Sequence, residues 1–115
     1  MEEGFYKVTF VHANGASASA SVIVKEAHIL GRGLSISVYG SFYGASLILN
    51  VARNNTTNIS PILDDYQAYS FSGGLEKTAE GYAFELDDHT DIPVYITFTK
   101  TADLTGDECL TEFID

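Results

Sequence analysis

The sequence predicts an all-β protein, built as an eight-stranded antiparallel up-and-down barrel. Short segments of alternating apolar and polar residues recur at a spacing of about ten residues, with turn residues between them. Nearly every connection is short enough for a hairpin, whereas a sandwich needs long crossover connections. Closing the sheet into a barrel also removes its exposed edge strands.

The strands are predicted one after another along the chain. Residues 5–12 alternate aromatic and aliphatic side chains with polar ones, which is typical of a strand with one buried face. Asn14-Gly15 indicates a turn, because both residues tolerate positive φ. Gly73-Gly74 indicates a separator after the sixth strand. The other strands are predicted over residues 17–25, 27–30, 35–43, 46–52, 66–71, 82–86 and 92–100.

At this length we expect one barrel domain over residues 1–103, followed by an acidic tail over 104–115. Thr105-Gly106-Asp107-Glu108 matches a capping box, which predicts a short docked helix. Helical spacing of apolar residues further along the tail supports it: Leu110, Phe113 and Ile114. The alternative is a frayed acidic terminus, because a helix under ~12 residues is marginal without packing. The sequence leaves both interpretations open.

Charge and cysteine content restrict the partners and the compartment. Sixteen acidic residues against six basic ones give a net charge of −10, which disfavours direct binding to nucleic acid or to anionic membranes. The single cysteine, Cys109, cannot form an internal disulfide, and the first residues lack the features of a signal peptide. We therefore expect a cytoplasmic protein.

No motif for metal, cofactor or covalent chemistry stands out. Asp87-Asp88-His89-Thr90-Asp91 offers oxygen and imidazole ligands, but five polar residues between two strands are more typical of a solvated turn. Gly31-Arg32-Gly33 lacks the third glycine of a dinucleotide fingerprint. We expect no metal, no cofactor and no enzymatic activity, because no nucleophile, base and orienting group can be assembled.

The aromatic residues are the most informative group for binding. Their alternation places six of them on the inward faces: Tyr6, Phe10, Phe42, Tyr82, Phe84 and Phe98. They either fill the interior or line a pocket for a small apolar ligand, since an eight-stranded barrel is wide enough for either outcome. His12 and Arg53 fall on inward faces at strand ends, where they could orient the polar end of such a ligand.

Three short motifs resemble the GrlR-like family of small lipocalin-like proteins, named after the global regulator of ler repressor. They are Gly4-Phe5-Tyr6, Ser37-Val38-Tyr39 followed by Gly40, and Asp65-Tyr66-Gln67. The resemblance covers about residues 4 to 100. It implies an eight-stranded lipocalin-like barrel, commonly dimeric, that acts as a negative regulator of type III secretion by sequestering a helix-turn-helix activator.

In the family, partner binding is associated with an acidic turn between the strands that correspond here to Ser35–Tyr43 and Ser46–Ala52. This turn contains no carboxylate, so the family's partner site is not transferred to this chain. Phe42 and Tyr43 are instead candidate exposed anchors, because aromatic residues are enriched at interfaces. We expect a non-enzymatic, homodimeric regulator that binds a protein; the alternative is a carrier or sensor of a small apolar molecule.

Overall fold

The computed structural model describes residues 1–54, 62–63, 66–87 and 90–106. Eight antiparallel strands follow one another around a closed barrel, which confirms the predicted up-and-down architecture. The bounds are β1 Gly4–His12, β2 Ser17–Lys25, β3 His28–Arg32, β4 Ile36–Tyr43, β5 Ser46–Arg53, β6 Ala68–Lys77, β7 Gly81–Leu86 and β8 Val94–Ala102. Each strand pairs with its neighbours in sequence, and β8 returns to pair with β1.

The alternation of each strand sorts its side chains between the core and the outer surface. In β1, Tyr6, Val8 and Phe10 point inward and are buried, while Lys7 between them is exposed. The seven remaining strands also contribute apolar side chains to this core. This is the behaviour that a period of two predicts for a sheet with one solvated face.

Each end of the barrel is covered by a different part of the chain. The Met1 end is where β1 begins and β8 ends, and there Met1 packs against the core. The His12 end is where β1 finishes, and loop residues Ile62, Leu63 and Ile92 are buried there in the core cluster. The loops therefore complete the core that the strands begin.

Gly73 and Gly74 do not separate two strands, contrary to the prediction, because both lie inside β6, which continues to Lys77. The sixth strand is therefore longer than predicted. A Cβ atom on Gly73 would lie 1.9 Å from the carbonyl oxygen of Glu85 on β7. Gly73 therefore permits the close approach of β6 and β7 and does not form a turn.

The turn between β2 and β3 carries no turn residue in its sequence. Glu26 and Ala27 form it with φ angles of 54° and 66°, a region that side-chain-bearing residues rarely adopt. The backbone N–H of Glu26 donates a hydrogen bond of 2.8 Å to the Glu3 carboxylate. The hairpin is therefore held by its strands and by this contact, and not by glycine or asparagine.

The predicted C-terminal helix falls mainly on residues 107–115, which lie outside the described part of the chain. Across the residues that the structure does describe, no helix is long and apolar enough to cross a membrane.

Replacement of Gly73 by alanine should destabilise the barrel by about 1–3 kcal/mol, because the new methyl group would overlap the Glu85 carbonyl. Gly74→Ala is the matched control: the nearest atom to its Cβ would be the carbonyl oxygen of Ala45, 3.9 Å away. We expect the control to change the free energy of unfolding by no more than ~0.5 kcal/mol. Urea denaturation of both variants measures this, and equal stabilities would contradict the strand approach described here.

Candidate functional site

The predicted interior aromatics do lie inside the barrel, and they fill it. Tyr6, Phe10, Phe84 and Phe98 are each no more than 3% exposed. A side chain that lined a void large enough for water would keep accessible surface toward that void. The near-zero exposure therefore indicates a packed interior with little free volume around these four residues.

His12 and Arg53 lie at the same end of the barrel, where β1 and β5 finish. His12 is buried, and its Nδ1 accepts a hydrogen bond of 3.1 Å from the backbone N–H of Asn14. Arg53 is half-buried, and its backbone N–H donates to the carbonyl of Gln67 at 2.9 Å. The imidazole of His12 thus stabilises the turn that joins β1 to β2 by accepting this hydrogen bond.

The Met1 end contains a polar cluster of two tyrosine hydroxyls and the backbone of Glu2. The Tyr6 hydroxyl donates to the Glu2 carbonyl at 2.7 Å, and the Glu2 N–H donates to the Tyr82 hydroxyl at 3.0 Å. Burial is the main cause that raises the pKa of Tyr6 to about 12, and nearby Tyr82 and the carboxylates of Glu2 and Asp103 raise it further. Tyr6 therefore stays neutral and ties the N-terminal segment to the core.

The outer surface of β4, β5 and β6 has a composition unlike the rest of the protein. We call the outward-pointing residues of β4, of β5 and of the part of β6 that pairs with β5 the uncharged face; Glu76, further along β6, lies beyond it. The residues of the face are Ser37, Tyr39, Ser41, Tyr43, Ser46, Ile48, Asn50, Ala52, Ala68, Ser70, Ser72 and Gly74. None of them is charged, in a chain with sixteen acidic and six basic residues. Depletion of charge and the presence of tyrosine are two compositional marks of a protein-binding surface, whereas serine and alanine, which are seven of the twelve residues here, are depleted at protein interfaces in general.

Hydrogen bonds between strands hold the polar groups of the uncharged face in place. The Asn50 side-chain amide donates to the Tyr39 carbonyl at 3.2 Å, and the Ser70 hydroxyl donates to the Asn50 side-chain oxygen. At the edge of the face, the Ser72 hydroxyl donates to the Asp87 carboxylate at 2.9 Å. The surface is therefore ordered before any partner arrives, which lowers the entropy cost of binding.

Tyr43 is the most exposed aromatic residue of the uncharged face, with 92% of its surface accessible. Ile48 and Tyr39 lie on neighbouring strands and are about half exposed. The expectation that Phe42 is also an exposed anchor is wrong: its side chain is partly buried and packs against the core. Alternation explains the difference, since Phe42 shares the inward face of Val38.

Two shallow hollows lie along the uncharged face. One, of about 490 Å³, is bordered by Tyr43, Ile48 and Gly74 near the Met1 end. The other, of about 400 Å³, is bordered by Leu30, Tyr39 and Asn50 toward the His12 end. Projecting aromatic and aliphatic groups beside hollows of this size give the face relief that a flat sheet lacks.

Sequence patterns alone did not single out Tyr39, Ile48 and Asn50 as parts of one surface. Each is unremarkable in its own strand, and the connection appears only through the register, in which Tyr39 pairs with Asn50 and Ser41 with Ile48. Alternation alone shows that β4 and β5 carry no outward charge. Strand pairing is needed to show that they adjoin the uncharged part of β6.

The acidic segment considered as a metal site, Asp87 to Asp91, lies only partly within the described residues. Asp88 and His89 lie outside the described residues, and no group of three or more His, Cys, Asp or Glu among the described residues is arranged to hold a metal ion. The Asp91 backbone N–H instead donates to the Tyr69 hydroxyl at 2.7 Å.

Comparison with known proteins assigns no family to this chain. No protein-family model matches the sequence, and no curated protein matches it significantly. The functional argument therefore depends on the surface itself.

Ionisation of Tyr6 should cost the folded state stability at alkaline pH. The pKa of Tyr6 is raised from about 10 in the unfolded chain to about 12 in the folded protein. The stabilisation that the neutral hydroxyl gives the folded state is therefore complete below pH 10 and is lost as the pH rises through 12. Tyr6→Phe removes this dependence together with the hydrogen bond to Glu2, at a cost of about 0.5–1.5 kcal/mol near neutral pH.

The stability advantage of the wild type over Tyr6→Phe should therefore fall between about pH 10 and 12 and then change sign, because a shift of this size outweighs the lost hydrogen bond. Urea denaturation at several pH values measures that difference, and the other tyrosines cancel because both proteins contain them. A difference that stays constant over this range would show that Tyr6 ionises equally in both states.

Proposed function

We propose that this chain is a non-enzymatic regulatory domain that binds a partner protein through the uncharged face. The observation that carries the proposal is the absence of charge from twelve outward positions on β4, β5 and the part of β6 that pairs with β5, in a protein of net charge −10. Desolvating a charged side chain without a partner is costly, so a surface without charges is the cheapest one to bury against another protein.

The residues of this face are also those that bind proteins with little loss of entropy. Tyr39 and Tyr43 present large amphipathic rings with few rotatable bonds, and serine and asparagine between them supply adaptable hydrogen bonds. Tyrosine with serine, glycine and asparagine is the composition found in antibody binding sites. Tyr43 and Ile48 are the proposed anchors, because they project most on neighbouring strands.

The packed interior supports a function at the surface over the carrier alternative. A carrier of an apolar molecule needs an internal cavity of several hundred Å³. Here Phe10, Phe71 and Phe98 are each no more than 1% exposed in the middle of the barrel, which leaves little room for a ligand.

The resemblance to GrlR-like regulators suggests how such a domain would act. Binding would sequester the partner, which in that family is a transcriptional activator, and the acidic charge would keep the domain itself away from DNA. Homodimerisation is part of the same expectation. The turn at Tyr43 lacks the family's carboxylates, so the proposed contact here is aromatic and not ionic.

The proposal predicts that Tyr43→Ala and Ile48→Ala each weaken partner binding by about tenfold or more, because both remove exposed anchors without disturbing the core. Tyr95→Ala is the matched control, since Tyr95 is 61% exposed but lies on β8, away from this face. The partner is first identified by crosslinking and affinity capture with the full chain, and the affinities are then measured by calorimetry.

Equal capture by the wild type and both face variants would place the binding surface elsewhere. Native mass spectrometry before and after organic extraction addresses the alternative. A retained apolar molecule that the extraction removes would contradict the packed interior and favour the carrier function.

A further inference from the structure

The uncharged face is bordered by carboxylates on its β7 side. Gly74 of β6 pairs with Glu85 of β7, and the Glu85 side chain points outward and is exposed. Two residues back along β6, the Ser72 hydroxyl donates to the Asp87 carboxylate at 2.9 Å, and the Asp87 N–H donates to the Ser72 carbonyl at 2.9 Å. Asp87 is also exposed. Two accessible negative charges therefore lie directly beside a surface that has no charge of its own.

A trough runs between an aromatic ring and one of these carboxylates. One outward row crosses four strands through three pairs, which are Tyr43 with Ser46, Ser46 with Gly74, and Gly74 with Glu85. Neighbouring strands are about 5 Å apart, so the ends of this row are separated by no more than about 15 Å. Its two middle positions carry only a hydroxymethyl group and a hydrogen atom. The row is therefore high at both ends and low in the middle.

The trough is open to an incoming side chain. A Cβ atom on Gly74 would have the carbonyl oxygen of Ala45 as its nearest neighbour, 3.9 Å away. The hollow of about 490 Å³ described above lies here, and Tyr43, Ile48 and Asp87 border it. One long side chain of another protein fits into this space without moving the strands.

The chain itself offers little positive charge to this border. Within the described part of the chain, neither Glu85 nor Asp87 forms an ion pair with another residue. The whole sequence has six basic residues against sixteen acidic ones. A cation brought by a partner would therefore gain electrostatic energy here without breaking an ion pair among the described residues.

We propose that the trough holds an arginine side chain of the partner protein. The aliphatic stem of the arginine packs beside the Tyr43 ring and over Gly74, where no side chain obstructs it. Its guanidinium donates hydrogen bonds to the carboxylates of Glu85 and Asp87 at the border. Arginine suits this place better than lysine, because its planar fork matches a carboxylate and also stacks on aromatic rings.

The inference rests on the proposed function, since the arginine belongs to the protein that the uncharged face binds, and it specifies the chemistry of that protein. Contacts within the face stay aromatic and apolar, and charge enters only at the β7 border. The partner must therefore present an arginine next to a patch that accepts Tyr43 and Ile48. A surface with an acidic residue at that place would be rejected by like-charge repulsion.

A capped arginine, with an acetyl group and a methylamide at its ends, tests the trough without any partner. Titrated into the isotope-labelled protein, it should shift the backbone amide NMR signals of Ser46, Gly74 and Glu85 and leave those of Thr9 and Ser21 in place. Capped citrulline has the same shape without the charge and should produce much smaller shifts. Equal shifts from the two probes, or shifts at every acidic part of the surface, would overturn the inference.

Three variants separate the trough from the net charge of the protein. Glu85→Gln should weaken binding of the capped arginine about two- to fivefold, the range of a surface ion pair. Gly74→Leu fills the trough and should remove the selective shifts, and the open space at Gly74 lets this variant fold. Glu80→Gln is the matched control, because it removes the same charge in the turn between β6 and β7 and should leave binding unchanged. Equal loss in the two glutamine variants would contradict the proposed contact.

The same variants distinguish this inference from the proposed function. A partner whose binding depends on Tyr43 and Ile48, but is unaffected by Glu85→Gln and Asp87→Asn, would leave the proposed function in place and overturn the arginine contact. A partner that is weakened by these two variants and unaffected by Glu80→Gln would support both.

Discussion

The pairing of β8 with β1 is the constraint from which the other features of this protein follow. Val8 pairs with Phe98 and Phe10 with Ile96, and both pairs contribute to the core. This pairing closes the sheet, so every strand has one face in a common interior and one on the outside. It also brings the start and the end of the described chain to the same end of the barrel, where the hydroxyls of Tyr6 and Tyr82 hold the Glu2 backbone.

Because the interior of the barrel is filled by side chains, we look for a binding site on the outer surface. There the same alternation produces two chemically different regions. One is the uncharged face, and the other is the outer surface of β1–β3, whose charged residues Lys7, Lys25 and Arg32 are all basic. Among the described acidic residues, Glu76 and Glu85 lie on β6 and β7, and the others lie outside the strands, such as Glu2, Glu26 and Asp103. Both regions differ from the average charge of the protein.

Local patterns predicted the strands well where alternation was regular. They predicted them less well where one residue type is compatible with both a strand and a turn. Gly73 illustrates the second case, since a glycine that permits close strand approach has the same sequence signature as one in a turn. Glu26 and Ala27 illustrate the reverse, a turn whose residues do not favour positive φ. Strand pairing decided both, and that information is not local.

The sequence by itself determined the barrel class, the inward faces and the burial of Tyr6, Phe10, Phe84 and Phe98, because the period of two is a local property of the chain. Only the tertiary structure decided that these side chains fill the interior, and that Tyr39, Ile48 and Asn50 share one surface. It also placed Lys7 and Arg32 beside Ile23. Packing volume and cross-strand register depend on residues far apart in sequence, which no single strand encodes.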